Sequence, residues 1–411
     1  MISFSKHVLE NGLTLIVHED HSTPMCVVNT LYNVGSRDED PNKTGFAHLF
    51  EHLMFGGTKN VKNFDEELQR VGGDNNAFTS PDITNYYSSA PAQNLETALW
   101  LESDRMLQLS FDPHVLEVQR KVVIEEFKQR YLNQPYGDVW LHLRPLAYTQ
   151  HSYQWATIGK DISHIQDATM DDVERFFYSH YAPNNAILVI AGNVSEEKVV
   201  DLVKKYYGDV PSRKVAGRDI PKEPPQQIKR SLSVQKDVPA DALYMSFHSP
   251  SREDREYHTV DLLSDILGRG QSSRLYQKLV KEESIFSSIN AHVSGSHDPG
   301  LFTISGRLYD NIEIEVAENA VWNQINAIKN QIDEDDVEKV KNQAEASLIY
   351  GEMEILNKAI NLATHTVLGN TDNVNKELNY IRNVNAAMLK KGAQDVLQET
   401  NCSVLHYLSA N

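Results

Sequence analysis

The sequence predicts an α+β protein with two homologous domains, each a mainly antiparallel sheet covered by helices. The chain has 411 residues, too many for one core and suited to two domains of about 200 residues each. Residues 211–230 are rich in proline and charge and are the only stretch typical of a linker. Strand-like and helix-like segments follow the same order on either side of it, which indicates a duplication. We therefore predict domains at 1–210 and 231–411.

The two halves match in pattern more than in residue identity. Each contains strand-like runs, a helix that ends at glycines, a second helix and a closing β-rich run. In the first half these segments are 13–17 and 27–32, the helix that ends at 55–57, then 94–98 and 185–190. In the second half they are 243–247, the helix that ends at 267–270, then 311–320 and 401–405.

Composition excludes several classes of protein. The formal net charge of -18, from 57 acidic and 39 basic residues, argues against a surface that binds nucleic acid or a membrane. Cys26 and Cys402 are the only cysteines, so neither a disulfide framework nor a cysteine-based zinc site is expected. The N-terminus shows no signal peptide and no apolar run is long enough to cross a membrane. We expect a cytoplasmic protein.

The segment His48-Leu49-Phe50-Glu51-His52 has the spacing of a metal site on a helix. Thr44 is predicted to cap this helix and Gly56 to help end it. His48 and His52 are four residues apart and share one face, as two ligands of one zinc ion must. Glu51 is close enough to act as the base that takes a proton from water. The alternative is an amphipathic helix whose two histidines only make structural hydrogen bonds.

A third ligand is predicted on a helix that runs from Asp112 toward the break at Pro135. Its apolar face is predicted to carry Val115, Val122 and Val123. Glu126 falls in the middle of that face, and a buried carboxylate requires a cation or hydrogen bonds. Glu126 therefore suggests a zinc ligand, and a buried ion pair with arginine is the alternative. Three protein ligands leave the fourth position to water, as in catalytic zinc sites.

These motifs resemble the pitrilysin/insulinase family, which includes mitochondrial processing peptidase. The order His-x-x-Glu-His is that of the inverzincins, and here it continues as Leu53-Met54-Phe55-Gly56-Gly57-Thr58. A second motif lies at 72–80, with Tyr86 and Tyr87 after it, and a third at 267–276. The resemblance covers nearly the whole chain. It implies the two-domain fold of the processing peptidases and a chamber, formed by two chains, in which short unstructured peptides are cut.

The resemblance also assigns roles. It implies one zinc ion per chain, bound by His48, His52 and Glu126 in the N-terminal domain, with Glu51 as the base. The second half has no His-x-x-Glu-His where the repeat would place one, around 261–265, so no metal site is expected in the C-terminal domain. It implies that the backbone of one short segment receives the peptide as an added β-strand, the segment Asn76, Ala77 and Phe78. Backbone pairing at a sheet edge binds many sequences with little selection among side chains. An ordinary edge strand is the alternative.

Two departures from the family pattern change these expectations. Gln119 stands where many members have a glutamate, seven residues before Glu126, so it would tune the zinc site differently through indirect contacts. Val280 and Ser287 stand where active members have an arginine and a tyrosine that hold the substrate. Neither can donate the same hydrogen bonds. We therefore expect a homologous partner subunit that supplies the pair in a heterodimer, with a homodimer as the alternative.

The expected function is thus that of a zinc-dependent endopeptidase. One alternative is a scaffold subunit that keeps the fold without activity, although such subunits usually lose the zinc motif. Another is a zinc hydrolase that acts on a small metabolite. The duplicated length and the strand motif at 76–78 favour a peptide substrate.

Overall fold

A computed structural model describes residues 1–410 of the chain and contains two β-sheets. The strands are β1 Ser5–Val8, β2 Thr14–Glu19, β3 Met25–Tyr32, β4 Asp74–Thr79, β5 Thr84–Pro91, β6 Ala186–Gly192, β7 Arg230–Lys236, β8 Ala242–His248, β9 Phe286–Ser294, β10 Leu301–Leu308 and β11 Cys402–Ser409. The first sheet has the order β1-β2-β6-β3-β5-β4, and the second has the order β7-β11-β8-β10-β9.

The two sheets share one topology. β2 runs parallel to β6, and β7 runs parallel to β11, whereas every other neighbouring pair is antiparallel. Without β1, the first sheet therefore has the same strand order and directions as the second. The predicted α+β class, with two similar and mainly antiparallel sheets, is confirmed.

Helices cover both sheets. They are α1 Phe46–Leu53, α2 Phe64–Arg70, α3 Leu95–Leu107, α4 Pro113–Phe127, α5 Val139–Ala147, α6 Ile162–Gln166, α7 Met170–His180, α8 Glu196–Tyr207, α9 Tyr257–Gly268, α10 Ile314–Asn330, α11 Glu334–Gly351, α12 Ile355–Val367, α13 Glu377–Asn383 and α14 Ala386–Val396. Within residues 1–410, none of them combines the length and the apolar composition needed to span a lipid bilayer.

The chain divides into two compact units that are both discontinuous in sequence. Their residues are 1–127, 155–220 and 349–376 for the first unit, and 128–154, 221–348 and 377–411 for the second. The division differs from the predicted domains because each half of the chain contributes one segment to the unit of the other half. The change of unit at Ile220 and Pro221 lies inside the predicted linker.

Two helices explain this exchange. α5 comes from the first half, and its Val139 and Leu143 pack against Leu405 and other residues of the second sheet. α12 comes from the second half, and its Leu362 and Ala363 pack against the first sheet. Both helices have an apolar face, but periodicity does not indicate which sheet such a face will cover. Sequence position was therefore a poor guide to their place in the fold.

The predicted linker, 211–230, is irregular until β7 begins, yet it is held in place. In the first unit, Arg213 donates to the carbonyl oxygen of Leu107 (2.7 Å), and Arg218 pairs with Asp38 at 2.7 Å. In the second unit, Glu223 accepts hydrogen bonds from three consecutive backbone N–H groups, those of Thr149, Gln150 and His151. The part of the segment before Pro221 is thus held by the first unit, and the part from Pro221 onward is held by the second unit.

A buried ion pair lies between α3 and the first sheet. Arg105 and Glu102 are almost fully buried, and Nη2 of Arg105 lies 2.6 Å from Oε1 of Glu102. The guanidinium lies 4.5 Å from the ring centroids of both Phe64 and Tyr86. The hydroxyl of Ser88 also donates to Glu102 (3.1 Å). A charge that is buried this deeply depends on its partner, because the pair has lost its hydration.

Replacing Arg105 by methionine should therefore destabilise the chain by about 3–5 kcal/mol, since it leaves the carboxylate of Glu102 buried without its partner. The free energy of unfolding in urea measures the effect. Arg70→Met is the matched control, because Arg70 is 61% exposed in its pairs with Glu66 and Glu67, and it should change the free energy by less than about 0.5 kcal/mol. Equal effects of the two substitutions would contradict this account.

A second buried cluster joins α10 to β11. Glu318 of α10 accepts a hydrogen bond from His406 of β11 (2.8 Å), pairs with Lys229 and accepts another hydrogen bond from Trp322 (3.2 Å). Burial opposes the ionisation of Glu318, but these partners outweigh it and lower its pKa to about 2. The carboxylate is therefore more stable in the folded chain than in the unfolded one.

Because the folded pKa of Glu318 lies below its ordinary value of 4.5, the stabilisation is complete above pH 4.5 and is lost as the pH falls toward 2. Glu318→Gln should lower the free energy of unfolding at pH 7 on the order of 3 kcal/mol, and this difference from the wild type should shrink as the pH falls. Urea unfolding at pH 7, 5 and 3.5 tests this. Glu315→Gln, at an exposed position of the same helix, is the control, and a pH-independent difference for Glu318→Gln would refute the argument.

Candidate active site

Helix α1 carries the predicted metal site, and a glycine and a glutamate determine where it begins. Gly45 is the N-cap with a left-handed φ of 89°, and a Cβ there would lie 2.6 Å from the carbonyl oxygen of Ile158. The carboxyl oxygens of Glu39 accept hydrogen bonds from the N–H groups of Gly45 (3.0 Å) and Ala47 (2.8 Å). The prediction that Thr44 caps the helix is wrong. Gly45 is the N-cap, and Glu39 accepts the hydrogen bonds of the backbone N–H groups at the helix start.

Glu39 is a residue whose role the sequence analysis missed. Its side chain is buried, and Trp155 donates a third hydrogen bond to it (3.1 Å). Burial raises the pKa of Glu39 to about 8 in spite of the three donors. An acidic residue shortly before a helix start is a common capping signal, but the loop that returns Glu39 to the helix end was not visible in the sequence.

The apolar face of α1 rests on aromatic side chains. Phe50 stacks with Tyr181 and with Phe177 of α7, at ring-centroid distances of 4.9 Å and 6.2 Å. Phe55, just after the helix, contacts Phe64 edge to face at 6.0 Å. Such contacts stabilise beyond the area that they bury. They hold α1 by one face and leave the polar residues of the motif on the other.

The structure brings His48, His52 and Glu126 together. Oε2 of Glu126 lies 3.6 Å from Nε2 of His48 and 3.5 Å from Nε2 of His52. A tetrahedral zinc ion with ligand distances near 2.1 Å requires donor atoms about 3.4 Å apart. Two nitrogen ligands and one carboxylate oxygen, in this arrangement, fit a zinc ion. Within residues 1–410 it is the only group of three or more such side chains that converges in this way.

The buried face of α4 differs from the predicted one. Val123 is buried as expected, but Val122 is 44% exposed. The residues of α4 that are buried are Leu116, Val123, Ile124 and Phe127. The helix is thus rotated by about one position relative to the prediction, because α1 and its other neighbours select the packing stripe. Glu126 lies at the edge of the stripe, where it faces the imidazoles and remains partly accessible.

Glu51 lies on the same side of α1, and a threonine contacts it. The hydroxyl of Thr79, the last residue of β4, donates to Oε2 of Glu51 at 2.5 Å. Tyr86 is fully buried in the aromatic packing nearby, so it does not line an accessible surface. Burial raises the pKa of Tyr86 well above its ordinary value, and the charge of Glu51 contributes to the shift. The phenol therefore stays neutral.

Asn76, Ala77 and Phe78 lie on β4, at the edge of the first sheet. β4 pairs with β5 on one side, and no strand of residues 1–410 pairs with the other side. Phe78 is 36% exposed. The N–H of Ala77 donates to Oδ1 of Asn76 at 2.8 Å. The edge is open, with one side-chain contact to its backbone.

The three unusual positions lie apart from any polar network of the site. Gln119 is on α4, partly exposed and two turns before Glu126, and its side chain makes no hydrogen bond to another described residue. Val280 packs against the core of the second unit. The hydroxyl of Ser287 donates to the carbonyl oxygen of Arg307 at 3.2 Å. Val280 and Ser287 thus have local structural contacts, and the role of Gln119 stays a prediction.

Comparison with known proteins connects this geometry to a family. The family model described as Insulinase (Peptidase family M16) matches residues 14–155, and the model described as Peptidase M16 inactive domain matches residues 167–344. The zinc protease PqqE of Helicobacter pylori is 32% identical over 348 residues, which cover 83% of this chain and 78% of that protein. A probable mitochondrial-processing peptidase subunit beta of Arabidopsis thaliana is 25% identical over 358 residues, covering 83% and 66% of the two chains.

A solved structure agrees with the sequence comparison. The crystal structure of a protease from Helicobacter pylori has a TM-score of 0.93 and 28% identity, and covers 99% of this chain and 100% of that one. The predicted family resemblance is confirmed. The zinc protease PqqE is 32% identical to this chain over 83% of its length and 78% of the length of PqqE. The chain therefore belongs to peptidase family M16, the insulinase family.

Proposed function

We propose that the chain is a zinc-dependent endopeptidase that hydrolyses short unstructured peptides. His48, His52 and Glu126 are the zinc ligands, and Glu51 is the general base. The observation that carries the proposal is the convergence of the three ligand atoms beside Glu51. Relatives named zinc proteases support the same chemistry.

The residues of the site divide the work of peptide hydrolysis. When bound, zinc lowers the pKa of a coordinated water and polarises the carbonyl of the scissile bond. Glu51 accepts the proton of the attacking water and passes it to the leaving amine. Its carboxylate is held at Oε2 by the hydroxyl of Thr79. The packing of α1 and α4 keeps the three ligands in place before any metal arrives.

The open edge of β4 is the proposed peptide-binding surface. An extended peptide adds to the sheet through main-chain hydrogen bonds, so it is recognised with little dependence on its sequence. The N–H of Ala77 donates to the side chain of Asn76. A peptide that pairs with Ala77 has to replace this hydrogen bond. An unstructured segment can adopt the extended conformation without first unfolding, which favours unstructured substrates.

A partner subunit completes the proposal. Val280 and Ser287 cannot supply the hydrogen bonds of an arginine-tyrosine pair, and their contacts here are structural. One relative is named as a subunit of mitochondrial processing peptidase. We therefore propose a homologous partner that supplies the pair, in a heterodimer whose two chains enclose the chamber. The cytoplasmic location stays a prediction.

A scaffold subunit without activity is the second candidate, and Val280 and Ser287 are the observation that favours it. The two candidates differ in what they expect of the motif on α1 and α4. A scaffold has no use for a base beside three metal ligands, whereas a peptidase depends on all four.

The first test is cleavage of a quenched, unstructured basic peptide by the zinc-loaded chain, with Glu51→Gln as the blank. The substitution should reduce the rate at least ~100-fold and leave bound zinc unchanged, because it removes the base and no ligand. Glu126→Gln should release zinc to a weak chelator, whereas Glu125→Gln, at the exposed neighbouring position, should retain it. Cleavage that survives in Glu51→Gln would rule out the mechanism, and full activity without a partner would rule out the heterodimer.

The second test concerns the peptide edge. Ala77→Pro removes the N–H that faces Asn76, and proline cannot donate to an added strand. We expect KM for the peptide to rise at least ~10-fold with zinc content unchanged. Ala77→Ser keeps the N–H and should behave like the wild type. If Ala77→Pro kept the KM of the wild type, the peptide would have to bind elsewhere.

A further inference from the structure

Thr79 occupies a position that joins two parts of the proposed site. It is the last residue of β4, so its backbone belongs to the edge strand. Its hydroxyl donates to Oε2 of Glu51 at 2.5 Å, across 28 residues of sequence. A hydrogen bond to a carboxylate is stronger than one between neutral groups. Thr79 therefore belongs to the strand proposed to receive the peptide and also contacts the base proposed to act on that peptide.

The side chains of β4 alternate between two faces, and Thr79 lies on the inner one. Asn75, Ala77 and Thr79 are partly buried, whereas Asn76 and Phe78 are exposed. The amide of Asn75 donates to Asp65 of α2 at 2.9 Å, so the inner face is attached to two helices. Of these two hydrogen bonds, only that of Thr79 is made to a residue with a proposed chemical role, Glu51.

A threonine suits this task better than a longer polar residue would. Branching at Cβ restricts its χ1 angle, so the hydroxyl has few alternative directions. Thr79 also pairs with Thr84 in the β4–β5 ladder, which fixes its backbone. The hydroxyl is therefore held in one direction by the sheet, and it holds Glu51 in turn.

We infer that Thr79 is a positioning residue: it holds the Glu51 carboxylate in the orientation required for proton transfer and links that orientation to the strand that pairs with the peptide. This inference rests on the proposed function. A small error in the placement of a catalytic group lowers the rate by as much as ~100-fold. When a peptide pairs with β4, the Glu51 carboxylate is already oriented by Thr79 of the same strand.

The test compares Thr79→Val, which keeps the shape and removes the hydroxyl, with Thr79→Ser, which keeps the hydroxyl. In Thr79→Val we expect kcat to fall ~10–100-fold with KM within about two-fold of the wild type, and zinc content unchanged. Thr79→Ser should retain most of the activity. Thr84→Val is the matched control, because it removes a hydroxyl from the paired residue, which donates to the carbonyl oxygen of Val34 and not to Glu51.

Crystal structures of the zinc-loaded variants provide a readout that does not depend on activity. The Glu51 carboxylate should turn away from its wild-type position in Thr79→Val and keep it in Thr79→Ser. An unmoved Glu51 in Thr79→Val would overturn the inference, and so would a rise in KM with kcat unchanged. Absence of cleavage by the wild type alone points to the need for the partner subunit, and absence of cleavage with a homologous partner present counts against the proposed function. The orientation of Glu51 decides the role of Thr79 by itself.

Discussion

The ligand atoms of His48, His52 and Glu126, which belong to two separate helices, have to be held within 4.8 Å of one another, yet their mutual contacts are too weak to hold the helices together. Apolar packing beneath them meets this constraint. Phe50 stacks on Tyr181 and Phe177 under α1. The buried residues of α4 hold that helix in the core in the same way. The start of α1 is held by Glu39 through two backbone hydrogen bonds. The metal-binding geometry is therefore a property of the packed core.

The parts of the site that the sequence predicted are those that helix geometry dictates locally. Two histidines four residues apart share a face in any α-helix, and the structure places His48 and His52 accordingly. Glu126 lies beside them, although the predicted face of α4 was displaced by one position. The contacts of Glu39 with α1 and of Thr79 with Glu51 depend on how loops and strands return to the helix. No local periodicity contains that information.

The second sheet shows that the fold does not require the metal motif. α9 has Asp261, Ser264 and Asp265 at the spacing of His48, Glu51 and His52 in α1. Burial, followed by the nearby charge of Asp265, raises the pKa of Asp261 to about 6. The sheet beneath α9 nevertheless has the strand order of the first sheet. The chemistry of this family is thus carried by a few side chains on a fold that is stable without them.

The exchange of α5 and α12 has a consequence for the order of events during synthesis. The first sheet is covered by α12, and its unit extends to residue 376 of 411. A ribosome that has made only the N-terminal half has released a sheet whose apolar surface still lacks its cover. The first unit therefore completes its fold only after most of the second half has been translated. During that interval, this apolar surface of the nascent chain stays uncovered.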